Sequence, residues 1–395
     1  MRRERTVFNM KEVRVGIIGL GNMGTSHAHK IYGGQVSRMR LAAICDIADK
    51  RIEYAKENFD GVALFKDADE MYEKAELDAV IIAVPHYDHS PLAIKAFAHG
   101  LNVLCEKPAG VYTKQVLEMN EAAKKSGKVF GIMYNQRTNP VYQQLRKMIL
   151  RGDLGHIKRA SWIITDWYRP QIYHDSCTWR STWKTEGGGA LINQNPHQLD
   201  LWQWFFGMPS RIMSHVSFGK YYDIEVEDDV TAFMEYDNGM TGVYITSTGE
   251  TPGVNRLEIA CDMGNIEVTR DKMVFHRNVE SEREFNKRNR TQIFGRPESW
   301  ECEIPTGGEN PQHLGILRNF TAAILDGAEL LAPGYDGIFG LTISNAIHYS
   351  AWSDGWADVK NFDHDGFYNM LQQKIAESKV VKKEIQMTVD VKGSH

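Results

Sequence analysis

The chain has few cysteines and no arrangement of them that carries chemistry. Cys45, Cys105, Cys177, Cys261 and Cys302 are the five in 395 residues, and none forms a C-x-x-C pair. An odd number at wide spacing speaks against a disulfide framework and against a zinc site, and a reducing, cytoplasmic setting is expected. Long apolar runs are also absent. The longest, AVIIAV (Ala79 to Val84), is far too short to span a membrane. The amino-terminal MRRERTVFNMKEV has positive charge without an apolar segment behind it, so no signal peptide is read there. No basic block occurs, and the net charge is −5, which argues against a nucleic-acid partner. The densest charged patch, SEREFNKRNR, mixes both signs and reads as a solvated loop. There is no internal repeat and no low-complexity segment.

What remains is an ordinary globular composition, 42% apolar and 25% charged. At this length two domains are expected. The first third has an ordered pattern. VRVGIIGLGNMG is a short apolar strand running into Gly19, Gly21 and Gly24, with a helical stretch directly after. A second strand, LAAICD, ends in Asp46 about 20 residues further on. This is a dinucleotide fingerprint. Gly19 allows the tight turn, Gly21 the approach of backbone to pyrophosphate, and Gly24 close packing of helix on strand. Asn22 and Met23 open the helix, whose free N–H groups and dipole would hold phosphate. Asp46 would accept from the adenosine ribose hydroxyls and repel a 2′-phosphate, which favours NAD over NADP; its alternative role is to cap the next helix.

Strands and helices alternate to about residue 135, which implies a doubly wound parallel sheet over residues 1–135. Ligands of such sheets sit beyond the carboxyl ends of the strands. That rule selects Pro85, His86 and His89, then Glu106 and Lys107, then Tyr134, Asn135 and Arg137. Arg137 has two readings, a fork of donors for nicotinamide or substrate, or a partner for an acid. His86 and His89 lack a third ligand, so no metal site is read. After a connecting helix, NPVYQQLRKMILRGDLG, successive strands without intervening helices predict an open, mainly antiparallel sheet packed on helices over residues 136–395. The DNG in that region marks a hairpin turn.

Six of the nine tryptophans fall between Trp162 and Trp204. Aromatic faces with interspersed donors suit the C–H faces and hydroxyls of a sugar ring, and Tyr168, Trp179 and Arg180 are the candidates for that site. About half of the aromatic residues there are expected in the core or at subunit contacts. The next stretch, GGGALINQNPHQLD, offers Asn195 as a helix cap, Pro196 at the first helical position and Gly207 beyond the end. A helix that starts earlier and kinks at Pro196 is the alternative.

GLGNMG, AAICD, AVPHYDH, CEKP and GGGALINQNPHQLD follow one another as in the Gfo/Idh/MocA oxidoreductases, which the chain resembles over almost its whole length. The resemblance implies a Rossmann domain followed by an α+β domain, NAD as cofactor, and hydride transfer at a hydroxyl carbon of a sugar, glycoside or cyclitol. It implies Lys107 as the active-site lysine, where a cation stabilises a developing alkoxide. It also implies a cis Lys107–Pro108 bond, His89 near the cofactor, and His197 as the base. A homodimer or homotetramer is implied too. The chain departs from the family at Asn193, where many members carry Asp. Asn can hold a substrate hydroxyl but takes no proton. The altered position leaves room for a second reading, a glycosidase or lyase that acts through transient oxidation with retained NAD. A non-catalytic NAD-binding regulator is a third.

Overall fold

The computed structural model describes residues 11–270 and 272–380, and the first ten residues of the basic amino terminus lie outside it. The first sheet holds β1 (Val13–Ile18), β2 (Met39–Cys45), β3 (Ala63–Phe65), β4 (Ala79–Ile82), β5 (Asn102–Cys105) and β6 (Phe130–Ile132). All its pairings are parallel, in the order β3-β2-β1-β4-β5-β6. Helices α1 (Asn22–Tyr32), α2 (Asp49–Asn58), α3 (Ala68–Lys74), α4 (His89–Ala98) and α5 (Thr113–Ser126) connect the strands. The uninterrupted apolar run of β4 is buried at every position, as a strand covered on both faces requires. The strand order reverses between β1 and β4, and that reversal opens a crevice at their carboxyl ends.

Helix α6 (Pro140–Arg151) joins the domains as expected. Asn139 caps it by accepting from the Val141 N–H at 3.0 Å, and Gly152 ends it at φ 77. The second sheet holds β7 (Ile157–Ile164), β8 (Arg211–Phe218), β9 (Glu227–Glu235), β10 (Thr241–Ser247), β11 (Asn255–Cys261), β12 (Gly264–Thr269), β13 (Lys272–Asn278), β14 (Ser299–Glu303) and β15 (Ala357–Asp358). Its order is β14-β13-β12-β11-β7-β10-β9-β8-β15. The DNG turn joins β9 to β10, with Gly239 at φ 84. One pairing, β7 with β10, is parallel, so the sheet is mixed at its centre.

The remaining helices are α7 (Gln171–Asp175), α8 (Pro196–Phe206), α9 (Glu282–Arg288), α10 (Gln312–Asp326), α11 (Gly337–Ser353) and α12 (His364–Glu377). Helices α8 and α11 cover the second sheet. Trp202 of α8 meets the Tyr244 ring edge-on at 5.8 Å and donates to the Tyr236 hydroxyl at 2.8 Å. The chain then returns to the first domain. Phe320 of α10 is fully buried, the Ile132 N–H donates to the Ala332 carbonyl at 3.0 Å, and Asp326 pairs with Arg38. Residues 312–333 thus pack against the first sheet and extend its outer edge, a long-range contact that local pattern does not reveal.

Candidate active site

The glycine turn does three separate things. Gly19 has φ 89, and a Cβ there would lie 2.4 Å from the Ala83 carbonyl oxygen. A Cβ on Gly24 would lie 1.9 Å from the Gly19 carbonyl oxygen, so α1 packs on the turn only with glycine there. Gly21 has open space where its Cβ would point. Asp46 accepts from the Leu20 N–H at 2.7 Å and the Ala48 N–H at 2.9 Å. These bonds aim its carboxylate across the mouth of the turn.

A cleft of about 1010 Å³ runs from this turn to Lys107, and its walls include Gly19, Gly21, Asn22, Met23, Asp46, Pro85, His86, Glu106 and Lys107. The space lies at the upper end of the range of small-molecule and cofactor sites. His89 and Asn135, read from sequence as cofactor ligands, do not line it. The His89 ring is held between the Pro108 carbonyl (2.6 Å) and the Val84 carbonyl (2.8 Å), so it braces two strand-end loops. Asn135 donates to the Gln312 side chain at 2.5 Å. Among the described residues no group of His, Cys, Asp and Glu could hold a metal ion.

Lys107 follows β5, and its bond to Pro108 is cis. Its ammonium donates to the Asn193 backbone carbonyl at 2.8 Å. Burial lowers its pKa, and the neighbouring Glu106 opposes that. Burial also works against ionisation of Glu106, but a 2.7 Å contact with His27 prevails and holds this carboxyl down at about 2. Glu106 is therefore a fixed negative charge beside Lys107.

The glycine-rich stretch is fixed from behind. A Cβ on Gly189 would lie 2.2 Å from the Glu227 carbonyl oxygen. The Glu227 carboxylate accepts from the Gly189 N–H (2.8 Å) and the Leu191 N–H (2.9 Å). A single wide helical turn, Ala190–Gln194, follows, and α8 starts at Pro196. Both sequence readings capture part of this. Asn195 is the cap position and Gly207 follows the end, yet a helical turn does precede the proline. The Asn195 side chain does not cap; it donates to Thr246 Oγ1 at 2.8 Å. Pro196 has no N–H to continue the earlier turn, and this explains the change of winding.

His197 lies in the first turn of α8, 9% exposed, with its ring edge-on to Tyr134 at 6.2 Å. Its Nδ1 is buried without a hydrogen-bond partner. Burial, reinforced by the Lys107 ammonium, holds the imidazole well below its ordinary value, so it is neutral. It is not among the residues that line the cleft, and the charge of Lys107 reaches its ring.

Asn193 leads to a residue that sequence reading missed. Its side-chain amide donates to Glu186 Oε1 and, at 3.3 Å, to the Tyr173 hydroxyl. Glu186 is almost fully buried. Burial pushes its carboxyl up to about 7, against the pull of Arg180, the Ser181 N–H and Asn193. Ser181 presents that N–H from a left-handed conformation, φ 61, which is uncommon for a residue with a side chain. The departure at position 193 thus comes with an acid seven positions earlier in the chain, brought alongside by the turn. The visible signal is an acid directly before GGG. Asn193→Asp would place two carboxyls together, and like charges at this range force them to share a proton. The fold is expected to survive and the pH–rate profile to move; an unchanged profile would show that position 193 does not shape the chemistry.

The remaining candidates divide. Trp179 and Arg180 line the cleft. Tyr168 is 41% exposed and lies outside it. Tyr134 is buried against His197 and does not line the cleft. Arg137 corrects the reading as a ligand: its fork is closed by Asp200 (2.6 and 2.8 Å) and Asp336 (2.7 Å), which leaves it nothing to offer a substrate. Trp162, Trp183 and Trp202 are core residues.

Comparison with known proteins agrees with this architecture. Residues 13–134 match the oxidoreductase family model described as an NAD-binding Rossmann fold, and residues 142–267 match the GFO/IDH/MocA C-terminal domain. The rhizopine catabolism protein MocA of Rhizobium meliloti is 31% identical over 199 residues, 50% of this chain and 58% of its own length. Inositol 2-dehydrogenase 4 of Saccharopolyspora erythraea is 29% identical over 50% of this chain and 55% of its own. The chain thus spans a little over half the length of these relatives. D-glucoside 3-dehydrogenase of Escherichia coli is 26% identical over 60% of this chain and 70% of its own. Among solved structures, the WlbA dehydrogenase of Bordetella pertussis with NADH and UDP-GlcNAcA superposes with a TM-score of 0.74 at 23% identity, covering 88% of this chain and 98% of its own. Levoglucosan dehydrogenase with NADH and levoglucosan gives 0.73 at 22% identity, over 88% of this chain and 100% of its own. At such identities these two establish the fold alone.

Proposed function

The chain belongs to the GFO/IDH/MocA oxidoreductase family, and from that premise we propose that it oxidises a hydroxyl-bearing carbon of a sugar, glycoside or cyclitol with NAD. The observation that carries the reading is one cleft that joins a dinucleotide turn at Gly19 to the half-buried ammonium of Lys107, with the neutral imidazole of His197 within reach of that charge. The relatives' names agree in kind, since they include inositol and glucoside dehydrogenases. The open space at Gly21 and the carboxylate of Asp46 fit NAD, and the charge at Asp46 disfavours a 2′-phosphate.

When bound, NAD supplies the hydride acceptor. Every other requirement falls on the chain. A hydroxyl proton must leave as the carbon loses hydride, and His197, held neutral, is the group suited to take it. Negative charge grows on the substrate oxygen in that step. Lys107 stabilises it, with its ammonium oriented by the Asn193 carbonyl and its charge supported by Glu106. Asn193 orients rather than titrates, and Glu186 behind it is the acid that exchanges a proton near neutral pH.

The test is a spectrophotometric screen. Purified protein is expected to reduce NAD with at least one member of a panel of sugars, uronates, methyl glycosides and inositols. No NADH across the panel, with NAD binding demonstrated, overturns the reading. Glycoside cleavage without net NADH moves it to the retained-cofactor glycosidase or lyase.

A further inference from the structure

The wall of the cleft beyond Lys107 carries more positive charge and more N–H donors than the protein itself uses. Arg180 lines the cleft, its guanidinium 4.3 Å above the Tyr173 ring and 4.7 Å from the Trp179 ring. Arg169 stacks on the same Tyr173 ring from 5.1 Å and on Trp167 from 5.3 Å. Among the described residues neither guanidinium forms an ion pair with a carboxylate. The Nε of each is buried without a hydrogen-bond partner. The acid that acts on Arg180 is Glu186, and burial pushes its carboxyl up to about 7. Lys107 adds a third cation, and both arginines lower its pKa through their charge.

The donors converge on one oxygen. The Tyr173 hydroxyl receives Arg180 Nη1, Gln194 Nε2 (3.0 Å) and Asn193 Nδ2 (3.3 Å), while Arg169 Nη1 donates to the Tyr168 carbonyl at 3.0 Å. A phenol oxygen has two lone pairs, so this is more donors than one neutral acceptor satisfies. Half-buried cations without counter-charge are unfavourable, and orphaned N–H donors add to that cost. The phosphates of a dinucleotide do not account for the excess, because the glycine turn receives them at the other end of the cleft. The missing partner is an anion with several acceptor oxygens, and planar guanidinium forks match carboxylate and phosphate alike.

We propose that the substrate is an anionic sugar, one bearing a carboxylate or phosphate that binds between Arg180 and Arg169 above the Tyr173 and Trp179 rings. The inference rests on the sugar dehydrogenase reading of this cleft and deepens it. Arg180 and Arg169 are then specificity residues: they hold a part of the substrate away from the reacting carbon.

Binding tests this separately from turnover. Protein saturated with NAD is titrated with matched pairs, methyl glucoside against methyl glucuronide and glucose against glucose 6-phosphate, with tryptophan fluorescence as the readout. One member of the anionic set is expected to bind roughly 10–100-fold more tightly than its neutral partner, the range of a charge-assisted contact. A preference for the glucuronide assigns the charge to a carboxylate, and a preference for the phosphate assigns it to a phosphate. Arg180→Gln is expected to bring each pair to within about threefold of equality. Arg169→Gln supplies the same test should the first variant melt early. Equal affinity across both pairs in the unaltered protein overturns the proposal, as does a preference that survives both substitutions. Charge preference without NADH formation upholds the anion site and instead overturns the dehydrogenase reading.

Discussion

His197→Ala is expected to lower kcat/KM by roughly 10²- to 10⁴-fold, the usual worth of a positioned general base. NADH affinity is expected to stay within a few-fold, because His197 does not line the cofactor cleft. The pH profile identifies the cause. Burial and the Lys107 charge lower the imidazole well below 6.5, so in the unaltered protein it stays neutral as pH falls through 6.5 and gains its proton only well below that. Activity limited by this base is therefore retained at pH 7 and lost only in more acidic solution. The variant is expected to lack that acid limb. A limb centred near 7 that persists in the variant belongs to Glu186, whose carboxyl titrates there, and Glu186→Gln is expected to remove it. Steady-state rates from pH 5 to 9 decide this; a loss under tenfold with the limb intact would remove His197 from the chemistry.

The readable part of the site is the part encoded by short-range geometry. Gly19 and Gly24 make the tight turn and the close helix contact that their spacing implies, and Gly21 keeps open space above it. Lys107 and Asp46 were legible for the same reason, as each lies at the end of a strand whose apolar run marks it. Asn193 was legible only as a departure from a pattern. Its partner was not, since Glu186 becomes its neighbour through a left-handed Ser181 and the wide turn at Ala190–Gln194. Side-chain periodicity carries no trace of either. The mixed centre of the second sheet escaped for a related cause, because β7 and β10 pair across about 80 residues and only the fold sets their direction. His89 and Asn135 show the converse. Position beyond a strand end predicts access to the cleft, but their side chains turn toward carbonyls and Gln312 instead.

Arg137 carries the clearest lesson and the last test. Position put it at a strand end with a donor fork, and an acid partner was the competing reading. The structure supplies two acids. Arg137 and Asp200 are each 1% exposed and meet in a bidentate pair, and Asp336, on the far side, is 27% exposed. A pair this buried does little for net stability, since desolvation offsets attraction, yet removal of one member leaves a stranded charge. Asp200→Ala is accordingly expected to cost about 3–5 kcal/mol. In thermal melts this corresponds to a fall in Tm of roughly 5–15 °C. Residual pairing with Asp336 places the loss toward the lower end. The double variant Arg137→Met with Asp200→Leu separates structure from binding. Apolar residues of similar volume in place of both partners remove the stranded charge, so most of the lost stability is expected to return. Substrate affinity is expected to return with it, because Arg137 does not face the cleft. If the double variant melts normally but has lost its substrate, Arg137 reaches the ligand after all, and the wall of the site extends past Tyr134 to the far side of α8.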